Sequence, residues 1–112
     1  MISGRFRSAY SNGIVGVSMD VQKCFDDGGN DIKNLRACML YDISAMKLDM
    51  GVRKIFESKT GRDVGPGTDF FSLGAFNARM NRYSAAAFGG SEENAFKYFG
   101  DAPERVLSRL ND

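Results

Sequence analysis

Between Ile32 and Ser58 the sequence carries two apolar stripes side by side. Ile32, Leu35, Met39, Ile43, Met46 and Met50 recur at steps of three and four. Cys38, Tyr41, Ala45, Leu48, Val52 and Ile55 do the same on the adjoining face. This spacing belongs to an α-helix, because residues three and four apart share one side of it. Two adjoining stripes make an apolar face wider than a surface helix needs, so the segment is expected to be a central helix. Its methionines suit an irregular core, and the same flexible side chains could line a binding groove. Lys59-Thr60-Gly61 reads as a cationic last turn followed by a glycine stop.

The other segments are arranged around this one. Phe6, Tyr10, Ile14, Val17, Val21 and Cys24 predict a first helix from about Ser3 to Phe25. Gly13 and Gly16 weaken it and mark a kink, a close contact or a frayed half. Asp26 to Asp31 forms a short loop, which makes the two flanking helices an antiparallel pair. Its carboxylates do not follow the calcium-loop pattern, since position six from Asp26 is Asp31 and position twelve is Ala37. Asn30 or Asp31 reads instead as a helix cap. A connector around Pro66 leads to a third helix, Phe70 to Phe88, capped by Thr68 or Asp69. Its predicted buried stripe is Leu73, Phe76, Met80, Tyr83 and Ala87, and Gly89-Gly90 ends it.

Ser91 reads as the cap of a short fourth helix anchored by Phe96 and Phe99, with Glu92 and Glu93 placed against its N-terminal dipole. Asp101-Ala102-Pro103-Glu104 has capping-box spacing and opens a last helix carrying Val106, Leu107 and Leu110. No segment alternates like a strand. The expected fold is therefore all-α, a single compact domain over residues 1–112 with about four to five helices and a long central one.

Cys24 falls near the end of the first helix and Cys38 about two turns into the second. Antiparallel helices across a short loop can bring such positions within the roughly 4.4–6.8 Å Cα separation that a disulfide requires. The placement favours a disulfide over two buried thiols. A disulfide in turn favours a periplasmic or secreted location over a cytoplasmic one. Met1 to Arg7 is too polar for a signal-peptide core, and a mature secreted form would look the same. No apolar run has the length that spans a bilayer, so no membrane span is expected.

The residue inventory narrows the chemistry. Lys and Arg number 15 against 14 Asp and Glu, and there is no histidine. Nucleic-acid binders usually carry a basic excess, so no nucleic-acid partner is expected. The missing imidazole removes the commonest general base and the commonest transition-metal ligand. No cofactor or metal site is expected. Gly61 to Gly67 has neither the lysine–serine pair nor the preceding strand of a phosphate loop, and Pro66 lacks an N–H donor.

The enzyme alternative rests on Glu57. It would be a lysozyme-like general acid at the end of a long apolar helix, with Asp63 or Asp69 as second carboxylate. The competing reading makes Glu57 a solvent-facing residue near Lys54. Binding is the primary expectation. Phe70 and Phe71 are consecutive, and Phe96, Tyr98 and Phe99 crowd a short helix, so one buried face cannot hold all five rings. These five are the candidate contacts for another protein or for self-association. A non-catalytic inhibitor or immunity protein, a chaperone or an assembly subunit would fit this description, on fold-level analogy alone.

Overall fold

The computed structural model describes residues 2–90 and 92–110. It is all-helical, with six α-helices and no strand among the described residues. α1 spans Ile2–Tyr10, α2 Gly13–Gly28, α3 Ile32–Thr60, α4 Leu73–Phe88, α5 Glu92–Phe99 and α6 Ala102–Arg109; a 3-10 turn covers Asp69–Phe71. At 1.5 Å per residue the 29 residues of α3 are about 43 Å long. The longest dimension of the molecule is 42 Å, so α3 runs its full length. It touches α1, α2, α4 and α6, while α5 packs on α4. The expected central helix is therefore present.

The expected single first helix is two. Gly13 takes a left-handed φ of +78°, which breaks the helix after Tyr10 and restarts it as α2. Gly16 serves the join: a Cβ there would lie 2.7 Å from Asn12 Cβ and 2.9 Å from the Ala9 carbonyl oxygen. Of the expected stripe, Phe6, Val17, Val21 and Cys24 are buried, while at the break Ile14 is half-buried and Tyr10 is exposed. α2 also runs further than expected, to Gly28, so the loop to α3 is shorter. Asp31 caps α3 by accepting from the Asn34 N–H at 3.2 Å.

The third helix also divides. Thr68 accepts from the Phe70 N–H and starts the 3-10 turn, and Ser72 accepts from the Ala75 N–H and caps α4. Leu73, expected in the buried stripe, is exposed, whereas Phe76, Met80 and Ala87 are buried and Tyr83 is half-buried. Gly89 ends α4 in the left-handed region. The expected cap at Ser91 lies outside the described residues. Asp101 makes no capping hydrogen bond; its side chain pairs with Arg105 instead. Pro103 sits in the first turn of α6 as expected and is buried.

Three covalent or polar ties hold the helices around α3. Cys24 and Cys38 are joined as a disulfide with Cα atoms 5.6 Å apart, linking α2 to α3. Closing so short a loop stabilises by about 3 kcal/mol in the chain-entropy model. Asp20 of α2 accepts from Arg5 Nε at 2.8 Å, from Arg5 Nη2 at 3.0 Å and from Tyr41 Oη at 2.7 Å, so one carboxylate binds α1, α2 and α3. Hydrogen bonding from Arg5 holds this carboxyl below the usual carboxylate range, against the effect of its partial burial. Burial first, and the bond to Asp20 second, push the Tyr41 hydroxyl upward, so it stays protonated and donates.

The third tie is an ion pair inside the core. Asp42 is fully buried and accepts from Arg79 Nε at 2.7 Å and Nη2 at 3.0 Å. Arg79 also donates to the Phe70 carbonyl, and its guanidinium lies 3.5 Å from the Phe70 ring centroid. Burial pushes the Asp42 carboxyl up and the Arg79 fork opposes that shift. Removing one partner of such a pair strands the other charge in the core. Arg79→Leu should therefore cost about 3–5 kcal/mol in urea unfolding, and Asp42→Leu/Arg79→Leu should recover part of the loss. A single-variant loss below about 0.5 kcal/mol would show that the pair is solvated.

Candidate functional site at the end of α3

The apolar face of α3 continues beyond the helices that cover it. Tyr41 and Ala45 are fully buried on this face. Leu48, two turns beyond Tyr41, is half-buried beside Tyr10, Leu107 and Leu110, with which it lines a small recess. The same face then carries Val52, Ile55 and Phe56, which are 47%, 59% and 51% exposed. Met50 and Val64 are exposed at the same end of the molecule. The expected burial of Met50, Val52 and Ile55 in the two α3 stripes is thus corrected. Those stripes are core residues only as far as the neighbouring helices reach. Ile32, at the opposite end, is exposed for the same reason.

Why this end stays uncovered is legible in the connector. Gly61 ends α3 with φ +71° and donates to the Glu57 carbonyl at 2.7 Å. The chain then turns back along the helix. Asp63 accepts from Arg53 Nε and Nη2, both at 2.6 Å, and from the Gly65 N–H at 2.9 Å. The Arg53 guanidinium, helped by that backbone N–H, pulls the Asp63 carboxyl down to about 2. Asp49 accepts from the Gly67 N–H at 3.0 Å. Gly67 has no room for a side chain, because a Cβ would lie 2.6 Å from Ile14 Cγ2. The connector is thereby tied back to Asp49 and Arg53 and does not cover Val52, Ile55 and Phe56.

Charge surrounds the bare strip unevenly. Lys54, Lys59 and Arg62 are exposed and form no ion pair among the described residues. Glu57 is the one carboxylate on this last part of α3 and is exposed. The strip is therefore an apolar patch with a net cationic rim.

The five aromatic residues singled out from sequence separate into different environments. Phe71 and Phe99 are buried and Phe70 is half-buried beneath Arg79. Phe70 and Phe71 lie outside α4, together in the 3-10 turn, where they meet edge to face with ring centroids 5.1 Å apart. Phe96 and Tyr98 are exposed. Tyr98 packs against Phe88 and Phe99 with ring centroids 5.1 and 5.2 Å away. The structure thus does not bring the five rings to one surface. For the acid–base reading, Glu57 stands in solvent rather than in an apolar enclosure, and Asp63 is committed to Arg53. The pairing with Arg53 lowers the Asp63 carboxyl, the opposite of the shift a proton donor needs.

Comparison of the chain with protein-family models, with curated proteins and with solved structures finds no match. The surface must speak through its own physics. Substituting exposed apolar residues should barely affect folding. Ile55→Ser/Phe56→Ser is expected to stay within about 0.5 kcal/mol of the parent in urea unfolding, whereas Met46→Ala in the buried part of α3 should lose about 2–5 kcal/mol. A loss of core size from the double variant would mean that this end of α3 is covered.

Proposed function

We propose that this chain is a non-catalytic helical domain that binds another protein through the apolar end of α3. The observation that carries the reading is the row Val52, Ile55 and Phe56, each about half exposed on one face of a continuous helix. Contiguous apolar surface on a rigid element, rimmed by polar groups, is the usual anatomy of a partner site. The helix is already ordered by its Gly61 stop and the Arg53–Asp63 pair, so docking costs little conformational entropy.

The rim selects the kind of partner. Lys54, Lys59 and Arg62 favour a surface whose own rim is acidic. A second copy of the chain would bring the same cations face to face, so a different protein is the better occupant. The disulfide between Cys24 and Cys38 suits an oxidising compartment, where such a bond persists. An inhibitor or an assembly subunit working in that setting needs no catalytic group of its own.

The test immobilises the oxidised protein and captures binders from an extract of the source organism. Three baits run in parallel: the parent, Ile55→Ser/Phe56→Ser, and Phe96→Ser/Tyr98→Ser. A protein recovered by the first and third baits, then purified, should bind the tip variant at least about 30-fold more weakly than the parent. It should also weaken with Lys54→Glu/Lys59→Glu and with added salt. Equal affinity for the parent and the tip variant would overturn the proposal. Analytical ultracentrifugation showing a dimer that the tip variant dissolves would assign the face to self-association.

A further inference from the structure

About 20 residues back along α3, some 30 Å from the bare tip, lies a different surface. A cleft of about 510 Å³ opens between the N-terminal half of α3 and the corner where α5 meets α6. Lys33, Arg36 and Leu40 of α3 form one wall; Tyr98 and Phe99 of α5 and Arg105 of α6 form the other. Three of these side chains are cations; Arg105 is paired with Asp101 beside the cleft, while Lys33 and Arg36 form no ion pair among the described residues. In a chain with nearly equal numbers of acidic and basic residues, that concentration of one sign is a local property of the fold.

The wall is held in place. Arg36 donates from Nε and Nη2 to the Ala87 carbonyl, at 3.2 and 2.9 Å, at the end of α4. Its guanidinium lies 4.5 Å from the Phe88 ring centroid and 4.9 Å from that of Tyr98. Nη1 makes no hydrogen bond among the described residues, so one edge of a fixed, permanently charged fork is left over. Tyr98 is 61% exposed, yet its ring is braced by Phe88 and Phe99. Arg36 lies over one side of this ring, and the exposed remainder of the ring is held in place before any ligand arrives. The first residue of α6, Ala102, also lines the cleft. The Asp101 side chain does not cap that helix, and Glu104, its first-turn carboxylate, is drawn to Lys47 at 2.8 Å. The Asp101 carboxylate pairs with Arg105 instead, so Lys33 and Arg36 are the cations of the cleft that no carboxylate holds among the described residues.

We infer that this cleft binds an aromatic phosphate of about nucleotide size. Its phosphate oxygens meet Lys33, Arg36 and Arg105, and its ring stacks on Tyr98. Forked guanidinium donors suit a phosphate. Sequence-tolerant stacking of a base on a braced aromatic ring supplies the second half of the recognition. The volume falls within the range of small-ligand clefts. The site is independent of the protein-binding surface at the other end of α3.

Isothermal titration of the purified, oxidised chain at low ionic strength tests the inference with three probes: AMP, adenosine and inorganic phosphate. AMP should bind saturably at one site per chain, and adenosine and phosphate each about tenfold or more weakly. Lys33, Tyr98 and Arg105 are exposed, so their variants should keep the parent circular-dichroism spectrum. Lys33→Gln/Arg105→Gln should weaken AMP and phosphate together. Tyr98→Ala should weaken AMP about tenfold and leave phosphate unchanged. No saturable AMP binding would overturn the inference, as would AMP binding that both variants retain. Phosphate binding as tightly as AMP would remove the aromatic half of it.

Discussion

The buried pairing of Asp42 with Arg79 decides where the second half of the chain goes. An ionised carboxylate in a core is tolerable only when a matching donor reaches it, and Arg79 supplies both of its parallel N–H bonds. The same guanidinium holds the Phe70 carbonyl and lies on the Phe70 ring. One side chain therefore fixes α4 and the 3-10 turn against the same stretch of α3. With α4 pinned there, the connector from Gly61 to Ser72 must return toward the middle of α3. It does so tied to Asp49 and Arg53. Specificity of position, rather than net stabilisation, is what a buried pair of this kind contributes.

α1 and α2 are fixed to the other side of the same stretch. The disulfide joins α2 to Cys38, and Asp20 gathers Arg5 and Tyr41. All three ties attach between Cys38 and Asp42, near the first third of α3. The helix itself continues to Thr60 because its local signals favour it and nothing stops it before Gly61. A 29-residue helix in a molecule of this size must outrun its neighbours somewhere, and it does so at Val52, Ile55 and Phe56. The bare strip is thus a consequence of where the bundle is tied.

Local signals were readable in the sequence and distant ones were not. The Asp31 cap, the Gly61 and Gly89 stops and the core positions Leu35, Met39, Ile43 and Met46 depend on spacing within a few turns, and each stands where spacing places it. The Cys24–Cys38 pairing followed from two helices joined by a short loop. The break at Gly13 was hidden because Tyr10, Ile14 and Val17 keep helical steps across it. The exposure of Val52 and Ile55 was hidden for a deeper reason. Periodicity says which face of a helix would be buried, but not how far along it a partner helix extends. Phe70 and Phe71 read in sequence as competing for one helix face, whereas a 3-10 turn lets the two rings pack edge to face on each other. Arg79 reaches across 37 positions to Asp42, and no local pattern announces that. The cationic cleft was equally distant, since Arg36, Tyr98 and Arg105 are assembled only by the packing of α5 on α4 and of α6 on α3.

α3 is one helix with a tied, buried part and an uncovered apolar end. Residue-resolved amide hydrogen exchange on the isolated, oxidised protein tests it most directly. Amides from Leu35 to Asp49 should exchange only through global unfolding. Those from Arg53 to Thr60 should exchange through local opening, at least about a hundredfold faster, while remaining helical by chemical shift. Protection that stays uniform from Leu35 through Thr60 would contradict the account, because it would mean that the end of α3 is packed as firmly as its middle.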